Sequence, residues 1–449
     1  MIDYRTLRIA LLGAGSVGSQ VATLLLEHSE ELAQRVGAHL ELAGIAVRDL
    51  STDRGPGVPA ELLTTNAEEL IVGADIVIEL MGGIQPAREY ILLALRSGAD
   101  VITGNKALLA THGPELFDLA QQVGAQLYYE AAVGGAIPII RPLRDSLAGD
   151  RVQRILGIVN GTTNYILDRM DRSGDTLEAA LQAATDLGYA EADPTGDIEG
   201  YDAAQKASIL ASLAFHTTVP VEAVYREGIT GVRIEDVEAA RKAGYVVKLL
   251  AICERITDPD TGSEGVSARV YPALVSRDHP LAAVRGANNA VFVEAEAAGS
   301  LMFYGAGAGG RETASAVLGD LVSAARRHVI GGPGVAESTQ ADLPVLDIGR
   351  VTTRYRVSLS VADRPGVLAE IAGIFSDHGV SVEAVEQSVP DAPSKATCAD
   401  QRPSGAEGTA TLVIGTHTST EAALSATVAA LAASGSVVAV QSVLRVEGE

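Results

Sequence analysis

The chain lacks tryptophan and has only two cysteines, Cys253 and Cys398, in 449 residues. Two cysteines give neither a disulfide framework nor a zinc site, and they favour the reducing cytoplasm. Aromatic residues are also scarce, at 4%, whereas hydrophobic residues as a whole reach 47%. Aliphatic side chains must therefore fill the cores, and the length predicts two or three domains.

Positively charged residues are also scarce. The chain has 34 Lys and Arg residues but 57 Asp and Glu residues, which gives a net charge of −23. This balance argues against nucleic acid or an anionic membrane as the main partner. The first residues, MIDYRTLRIALLGAG, lack the layout of a signal peptide, and no apolar run is long enough to span a bilayer. The sequence therefore predicts a cytoplasmic protein with no membrane or nucleic-acid partner.

Glycine, by contrast, is abundant, and its most informative cluster is GAGSVG at 13–18. An apolar run precedes this turn and an amphipathic helix pattern follows it, as in a Rossmann dinucleotide-binding domain. Gly13 permits the tight turn, Gly15 lets the backbone approach a pyrophosphate, and Gly18 lets the helix pack against the strand. The helix N-terminus supplies N–H groups for the phosphates. A glycine-rich turn without a ligand is the alternative.

The next predicted strand, 40–47, is followed by Arg48 and Asp49. In NAD-specific sites an acidic residue commonly ends this strand and binds the ribose 2′-hydroxyl. A guanidinium there suits a 2′-phosphate, which favours NADP over NAD. An ordinary solvated arginine is the alternative.

Two further strands are predicted to end at the same crevice, and they place Gly82 and Lys106 beside it. A lysine at a helix N-terminus opposes the helix dipole, which favours a functional role for Lys106. We predict that 1–149, together with a returning helix at about 311–330, forms the dinucleotide-binding domain.

An acidic stretch at 188–206 contains Glu191, Asp197, Asp202 and Lys206. Asp202 and Lys206 are four residues apart on a predicted helix, so they share a face. One interpretation is a surface ion pair. The other is a proton-transfer lysine held by acidic groups that also bind a cationic substrate.

The rest of the chain divides by pattern into three parts. Residues 150–310 are predicted to form an α+β substrate-binding and dimerisation domain, which ends in a second glycine-rich loop. A linker at 331–352 is rich in Gly, Pro and polar residues. Residues 353–449 show the order βαββαβ, which is ferredoxin-like and contains a polar insert at 390–407. This domain has no catalytic constellation, so it predicts a binding or regulatory role.

Taken as a set, these motifs resemble homoserine dehydrogenase in the form that carries a C-terminal ACT domain. The resemblance covers nearly the whole chain, and the 188–207 motif is highly specific. It implies NAD(P)-dependent interconversion of L-homoserine and L-aspartate 4-semialdehyde, in threonine, methionine and isoleucine biosynthesis. The motifs are GAGSVG (13–18), GNKALLA (104–110), YYEAAVGGAIPI (128–139), NGTTNYIL (160–167), GYAEADPTGDIEGYDAAQKA (188–207), GAGAGGRETASAV (305–317) and ADRPGVLAEIAGIF (362–375).

The resemblance also implies roles for individual residues. Lys206 would exchange a proton with the substrate oxygen, and Lys106 would assist beside the nicotinamide. The implied substrate-binding residues are Glu191, Asp202, Asp197 and Thr162. The implied cofactor-binding residues are Gly13, Gly15, Ser16, Val17, Gly18, Arg48, Gly82, Lys106, Gly188 and Gly310. A monovalent cation, usually sodium, would be held mostly through carbonyls by Glu130, Val133, Gly135 and Ile137.

The ACT domain implies an amino-acid effector, with threonine suggested by the family, and a homodimer or homotetramer. Two other interpretations stay open on the residues alone. A different ACT-bearing dehydrogenase, of the 3-phosphoglycerate type, would need a catalytic His–acid pair, but His216 and His279 lack a glycine-framed motif. An inactive amino-acid sensor would be expected to have lost Lys206 or the acidic stretch.

Overall fold

The computed structural model describes residues 5–258, 261–332, 337, 339–388 and 408–448. The polar insert predicted at 390–407, and with it Cys398, lies outside the described residues. The predicted fold class is confirmed, because a Rossmann domain, an α+β domain and a ferredoxin-like ACT domain follow one another along the chain. None of the helices in the described segments is both long and apolar enough to cross a bilayer.

The N-terminal domain is a parallel six-stranded sheet with helices on both faces. Its strands are β1 (Arg5–Leu12), β2 (Ala38–Ala46), β3 (Leu63–Thr64), β4 (Ile76–Glu79), β5 (Asp100–Thr103) and β6 (Leu127–Tyr128). Its helices are α1 (Ser16–Glu27), α2 (Ser29–Val36), α3 (Ala67–Val72), α4 (Ala87–Arg96) and α5 (Lys106–Val123). The strand order β3-β2-β1-β4-β5-β6 is that of the Rossmann fold.

Alternate residues of the central strands face opposite layers of this core. In β4, Ile76 and Ile78 pack in the same cluster as Val21 of α1, whereas Val77 packs in the cluster that contains Ile91 of α4. Because both faces are covered, β4 is apolar from Ile76 to Ile78, without alternating polar residues. The carboxyl ends of β1, β4 and β5 are thereby held at one edge of the sheet, where their loops build the site.

The middle domain is a mostly antiparallel sheet covered by helices. Its strands are β7 (Val152–Ile158), β8 (Tyr225–Arg226), β9 (Tyr245–Thr257), β10 (Glu264–Ser276), β11 (Asn288–Ala295) and β12 (Gly299–Ala306). Its helices are α6 (Gly161–Ser173), α7 (Leu177–Asp186), α8 (Thr195–Ile198), α9 (Tyr201–Phe215) and α10 (Ile234–Lys242). A last helix, α11 (Gly310–Ile330), leaves this domain and packs against α1 of the first.

The C-terminal domain has the predicted βαββαβ order with one additional short strand. Its elements are β13 (Thr352–Ala362), α12 (Val367–Asp377), β14 (Val382–Ser388), β15 (Thr409–Thr416), β16 (Ser419–Thr420), α13 (Glu421–Ala433) and β17 (Val437–Glu447). Strand β17 pairs in parallel with β10, through Ala273–Arg445, Leu274–Val446 and Val275–Glu447. The sheets of the middle and C-terminal domains are therefore one continuous sheet.

The segment that joins these domains is fastened to the middle domain. The Ala341 N–H donates to the carbonyl of His216 at 3.0 Å, at the end of α9. The Thr217 hydroxyl donates to the carbonyl of Leu343 at 3.0 Å. Backbone contact then continues along the edge of β10, so this part of the predicted linker follows the domain surface.

Candidate active site

The glycine-rich turn after β1 is shaped by two close approaches. Gly13 has φ of +97°, and a Cβ built on it would lie 2.8 Å from the carbonyl oxygen of Leu80. A Cβ at Gly18 would lie 2.1 Å from the carbonyl oxygen of Gly13, so α1 packs directly on the turn. A Cβ at Gly15 would meet nothing within 4 Å. The turn is thus closed on the protein side and open at Gly15, Ser16 and Val17, which suits a pyrophosphate.

The second glycine-rich loop reaches the same place. Gly310 begins α11, and a Cβ built there would lie only 2.6 Å from the carbonyl oxygen of Ser16. Two helix N-termini, those of α1 and α11, therefore meet at one point and present backbone N–H groups to it. Helix N-termini attract anions, so this junction fits the phosphates of a dinucleotide.

Glu79, at the carboxyl end of β4, is a residue that the sequence analysis missed. It is fully buried, and its Oε1 accepts the N–H groups of Met81 at 2.7 Å and Gly82 at 3.3 Å. Its Oε2 accepts the Thr103 hydroxyl at 2.7 Å. Gly82 has φ of +73° and open space around it, so Glu79 holds a glycine turn that faces the crevice. An acidic residue that ends an apolar strand two positions before Met81-Gly82-Gly83 was the available signal.

Arg48 and Asp49 follow β2 and differ in the contacts of their side chains. The Asp49 carboxylate accepts the Ser51 N–H at 2.8 Å, the Ser51 hydroxyl at 2.7 Å and the Thr52 hydroxyl at 3.1 Å. The hydrogen bonds from Ser51 and Thr52 hold the pKa of Asp49 below its usual value. Asp49 therefore caps its own loop, while Arg48 is exposed just beyond the strand.

The acidic stretch meets two lysines at the start of α9. Lys206 Nζ lies 2.8 Å from Asp202 Oδ2 and also donates to the carbonyl of Val159 at 2.7 Å. Lys106 Nζ lies 2.8 Å from the other oxygen of the same carboxylate, Asp202 Oδ1. Lys206 is buried, with 8% exposure, whereas the Lys106 side chain is 40% exposed. Asp202 and Lys206 therefore form a buried pair, shared with Lys106 from the other domain, and not an exposed surface ion pair.

This arrangement fixes the charges of the cluster. Burial opposes ionisation of Asp202, but the ammonium groups of Lys206 and Lys106 outweigh it and hold the pKa of Asp202 well below its usual range. Burial likewise opposes the charge on Lys106, and the attraction of Asp202, Asp197 and Glu191 raises the pKa of Lys106 nonetheless. At neutral pH the centre therefore contains an aspartate carboxylate and a protonated Lys106.

The remaining predicted substrate residues surround this centre to different degrees. Asp197 accepts the Asn160 amide N–H at 2.7 Å, and Asn160 reaches Asp202 as well. Thr162 is buried, and its hydroxyl donates to the carbonyl of Tyr189 at 2.7 Å, which ties α6 to the acidic stretch. Glu191 is exposed, close enough to Lys106 to affect its pKa. Gly188, with φ of +75°, lies two residues after the end of α7 and begins the stretch.

The predicted cation loop at 130–137 is buried between the domains. The Glu130 carboxylate is occupied, because it accepts the N–H groups of Ile139 at 2.6 Å, Ile140 at 2.8 Å and Arg141 at 2.9 Å. Any contact of Glu130 with a cation would thus use its backbone carbonyl. A Cβ at Gly135 would lie 2.3 Å from the carbonyl oxygen of Gly307, so this loop packs on the second glycine-rich loop.

Two observations bear on which ligands a cation would find there. In the described parts of the chain, no group of three or more His, Cys, Asp or Glu side chains is placed to hold a metal ion. A site at 130–137 would therefore consist of carbonyl oxygens, the ligands that hard cations prefer. Asp320 of α11, which the sequence analysis missed, accepts the Glu130 N–H at 2.9 Å, and burial raises its pKa to about 7.

A Rossmann crevice that ends at a lysine–carboxylate centre defines a dinucleotide-dependent oxidoreductase. The chain is 55% identical to the homoserine dehydrogenase of Mycobacterium tuberculosis over 448 residues, 99% of each chain. It is 52% identical to that of Corynebacterium glutamicum, covering 98% of this chain and 95% of the relative. The chain belongs to the homoserine dehydrogenase family.

Domain-level comparisons agree with this membership. The family model for homoserine dehydrogenase matches residues 138–322, that for the homoserine dehydrogenase NAD binding domain matches 13–130, and the ACT domain model matches 355–434. A solved homoserine dehydrogenase from Thiobacillus denitrificans has a TM-score of 0.89 at 37% identity, covering 99% of this chain and 98% of that one. The resemblance predicted from the motifs is confirmed, and the inactive-sensor alternative gains no support from these relatives.

Proposed function

We propose that this enzyme interconverts L-homoserine and L-aspartate 4-semialdehyde, with Lys206 as the residue that exchanges a proton with the substrate oxygen. The observation that carries this assignment is the buried Lys206–Asp202 pair, joined by Lys106 from the dinucleotide-binding domain. An amino-acid substrate brings an ammonium group that needs carboxylates, and Glu191, Asp202 and Asp197 supply them. Thr162 holds the wall of the same pocket through Tyr189.

The chemistry divides between the cofactor and the chain. A nicotinamide dinucleotide, when bound, supplies or accepts the hydride. In aldehyde reduction Lys206 gives its ammonium proton to the carbonyl oxygen as that oxygen becomes a hydroxyl, and in homoserine oxidation neutral Lys206 takes the proton back. Homoserine oxidation releases a proton overall, so alkaline pH favours oxidation and lower pH favours reduction.

The first test is homoserine-dependent reduction of NADP and of NAD at alkaline pH, for the wild type and for Lys206→Ala. We expect turnover to fall by about 10²- to 10⁴-fold in the variant, the range for loss of a general acid–base group. Cofactor binding, measured by fluorescence titration, should survive. A wild type without homoserine-dependent turnover, or a variant that keeps most of it, would contradict the assignment.

We further propose that NADP is preferred, with NAD accepted. Asp49 is engaged by Ser51 and Thr52, which leaves Arg48 as the group that could meet a 2′-phosphate. A solved hyperthermophilic archaeal homoserine dehydrogenase, described as a complex with NADPH, supports the cofactor class; its TM-score is 0.60 at 29% identity, over 74% of this chain and 99% of that one. Arg48→Ala should raise the KM for NADP about 10-fold or more and leave the KM for NAD nearly unchanged.

The proposed monovalent cation is sodium, held at the loop by carbonyls of Glu130, Val133, Gly135 and Ile137. Loop packing against the second glycine-rich loop supports a role in joining the domains. Replacing sodium chloride by choline chloride at equal ionic strength should lower the melting temperature, a measurement independent of activity. An unchanged melting temperature would argue against the cation.

The regulatory and assembly proposals rest on the ACT domain. We propose an amino-acid effector, threonine, a homodimer or homotetramer, and a cytoplasmic place in threonine, methionine and isoleucine biosynthesis. The proposed domain limits are 1–149 with about 311–330, 150–310, 331–352 and 353–449. Inhibition by L-threonine and the mass from light scattering test the effector and the assembly separately.

A further inference from the structure

Asn160 lies at the junction of β7 and α6, and its amide group faces two ways. Its Oδ1 accepts the Thr163 N–H and the Thr163 hydroxyl, both at 2.9 Å, and so caps the N-terminus of α6. Its Nδ2 donates to Asp197 Oδ1 at 2.7 Å and to Asp202 Oδ2 at 2.9 Å. The residue is buried, with 6% exposure.

The orientation of this amide follows from its partners. A backbone N–H needs an acceptor, so the oxygen must face α6, and the –NH₂ group must then face the carboxylates. The reverse orientation would place the amide oxygen against two carboxylates and an N–H against an N–H. The two amide hydrogens are thus assigned one to Asp197 and one to Asp202.

The same junction also holds the catalytic lysine. Val159, the preceding residue, accepts a hydrogen bond from Lys206 Nζ at 2.7 Å through its carbonyl. Asp202 Oδ2 receives both Lys206 Nζ and Asn160 Nδ2, at 2.8 and 2.9 Å. One dipeptide, Val159–Asn160, therefore sets the position of the lysine and of the carboxylate that faces it.

We infer that Asn160 is a positioning residue for the reaction, which orients Asp202 and Asp197 so that Lys206 and a substrate ammonium meet them correctly. The residue type supports this role. Ser, Thr, Asp and Asn all cap helices well, but among them only the carboxamide has two N–H donors for two carboxylates beside the oxygen that caps the helix. The inference rests on the proposed roles of Lys206 and Asp202.

The test uses two substitutions that keep the helix cap. Asn160→Ser retains a capping oxygen and removes both amide donors, whereas Asn160→Asp retains the cap and adds a third carboxylate to the cluster. Asn66→Ser is the matched control, because Asn66 caps α3 through Glu69 N–H and also donates to the Glu69 carboxylate at 2.7 Å, on the exposed surface. All three are assayed as the full-length enzyme.

We expect Asn160→Ser to lower kcat/KM for homoserine about 10- to 100-fold, as small misplacements of catalytic groups do. The KM for NADP and the melting temperature should stay close to those of Asn66→Ser. In Asn160→Asp the extra carboxylate lies beside Asp202, the carboxylate that Lys206 and Lys106 share. We therefore expect the alkaline rise of homoserine oxidation to move up by about half a pH unit or more.

Three results would overturn the inference. The first is a kcat/KM for Asn160→Ser within twofold of the wild type, which makes Asn160 a helix cap only. The second is a loss that disappears when the assay is run well below a lowered melting temperature. The third is an Asn160→Asp pH profile that matches the wild type. If Lys206→Ala kept its activity, the proposed function itself would fail, a result distinct from these three.

Discussion

Lys206 and Lys248 are two buried lysines of the middle domain that are held in nearly the same way. Each donates to a backbone carbonyl at 2.7 Å, Val159 for Lys206 and Val284 for Lys248. Each also contacts one side chain at 2.8 Å, but for Lys206 this is the Asp202 carboxylate, whereas for Lys248 it is the amide oxygen of Asn164. The partner's charge is therefore the main difference between the two sites.

The lack of a carboxylate in direct contact is reflected in the pKa of Lys248. Burial lowers the pKa of Lys248 to about 8, because the attraction of Asp168 and Asp171 is offset by Arg285 and Arg277. Asn164 also donates to the carbonyls of Gly286 and Asn288, at 2.9 and 3.0 Å, so these contacts hold the loop at 284–288. We call this group the Lys248 cluster: Lys248, Asn164, Asp168, Asp171, Arg277 and Arg285. Perturbed pKa values are often taken as signs of a functional site. Lys248 lies outside the proposed active site, so a perturbed pKa indicates a functional residue only where the geometry supports it.

The largest effect is expected when the Asp202 carboxylate is removed. This carboxylate contacts Lys206 directly, whereas the corresponding partner of Lys248 is the amide oxygen of Asn164. Asp202→Asn should lower kcat/KM for homoserine about 10³-fold, because Lys206 and Lys106, the lysines proposed for catalysis, lose their shared partner. Asp168→Asn, the matched change near Lys248, should leave kcat/KM within about threefold, since Asp168 bonds Arg285 and the Gly286 N–H. Steady-state kinetics of both variants measure this difference. Equal losses of kcat/KM would contradict the different roles assigned to Asp202 and Asp168.

The next effect concerns the free energy of unfolding, which Lys248 should make larger as the pH rises. The folded-state pKa of Lys248, about 8, lies below the ordinary value of 10.5, so the unfolded chain binds more protons between these limits. The free energy of unfolding should therefore gain a contribution that rises with pH from about 8 to 10.5, by about 3 kcal/mol in total. Urea unfolding at pH 7.5 and 9.5 should show about 2 kcal/mol of this rise in the wild type and none of it in Lys248→Met. The same slope in both proteins would show that Lys248 keeps its ordinary pKa.

A smaller effect is expected at Lys106, which shares Asp202 but is only partly buried. Lys106→Ala should lower kcat/KM for homoserine about 10- to 100-fold, the cost of losing one charge-assisted contact. Lys242→Ala, an exposed lysine of α10, should have no effect on kcat/KM. If Lys106→Ala matched Lys206→Ala in its loss, the two lysines would be equal partners, and the assignment of proton exchange to Lys206 alone would be wrong.

The smallest effect concerns Arg285, whose side chain is 42% exposed and lies 3.0 Å from Asp168. Arg285→Ala should change the free energy of unfolding by less than about 1 kcal/mol at neutral pH, as exposed ion pairs do. Because Arg285 lowers the pKa of Lys248, its removal should also move the stability rise of Lys248 to higher pH. Urea unfolding as a function of pH measures both, and an unmoved rise would exclude Arg285 from the Lys248 cluster.

The sequence predicted the parts of the site that depend on local pattern. GAGSVG forms the predicted turn, α1 follows it, and Asp202 and Lys206 share a face of α9. These features follow from neighbours in the chain, and the glycine spacing or helical period is enough to find them. The family resemblance rested on such local motifs, which explains why it was correct.

Features that depend on distant contacts were not predictable. Strand β9, Tyr245–Thr257, escaped prediction because a covered central strand has no alternation, and its buried Lys248 breaks the apolar run. The hydrogen bond from Asn160 to Asp202 joins residues 42 positions apart, and no local sequence pattern indicates it. Strand β6 ends at Tyr128, and Glu130 shortly beyond it accepts the backbone N–H groups of 139–141, a contact that no local pattern predicts.

The parallel pairing of β17 with β10 has a consequence for how the protein is made. Strand β10 leaves the ribosome long before β17, so its Ala273–Val275 edge waits without its partner while the rest of the chain is synthesised. Unpaired strand edges recruit other strands, and this one belongs to the sheet that carries Lys248 and borders α9. Until the last strand arrives, this edge beside α9 lacks its partner, and the final strand of the ACT domain is the element that closes it.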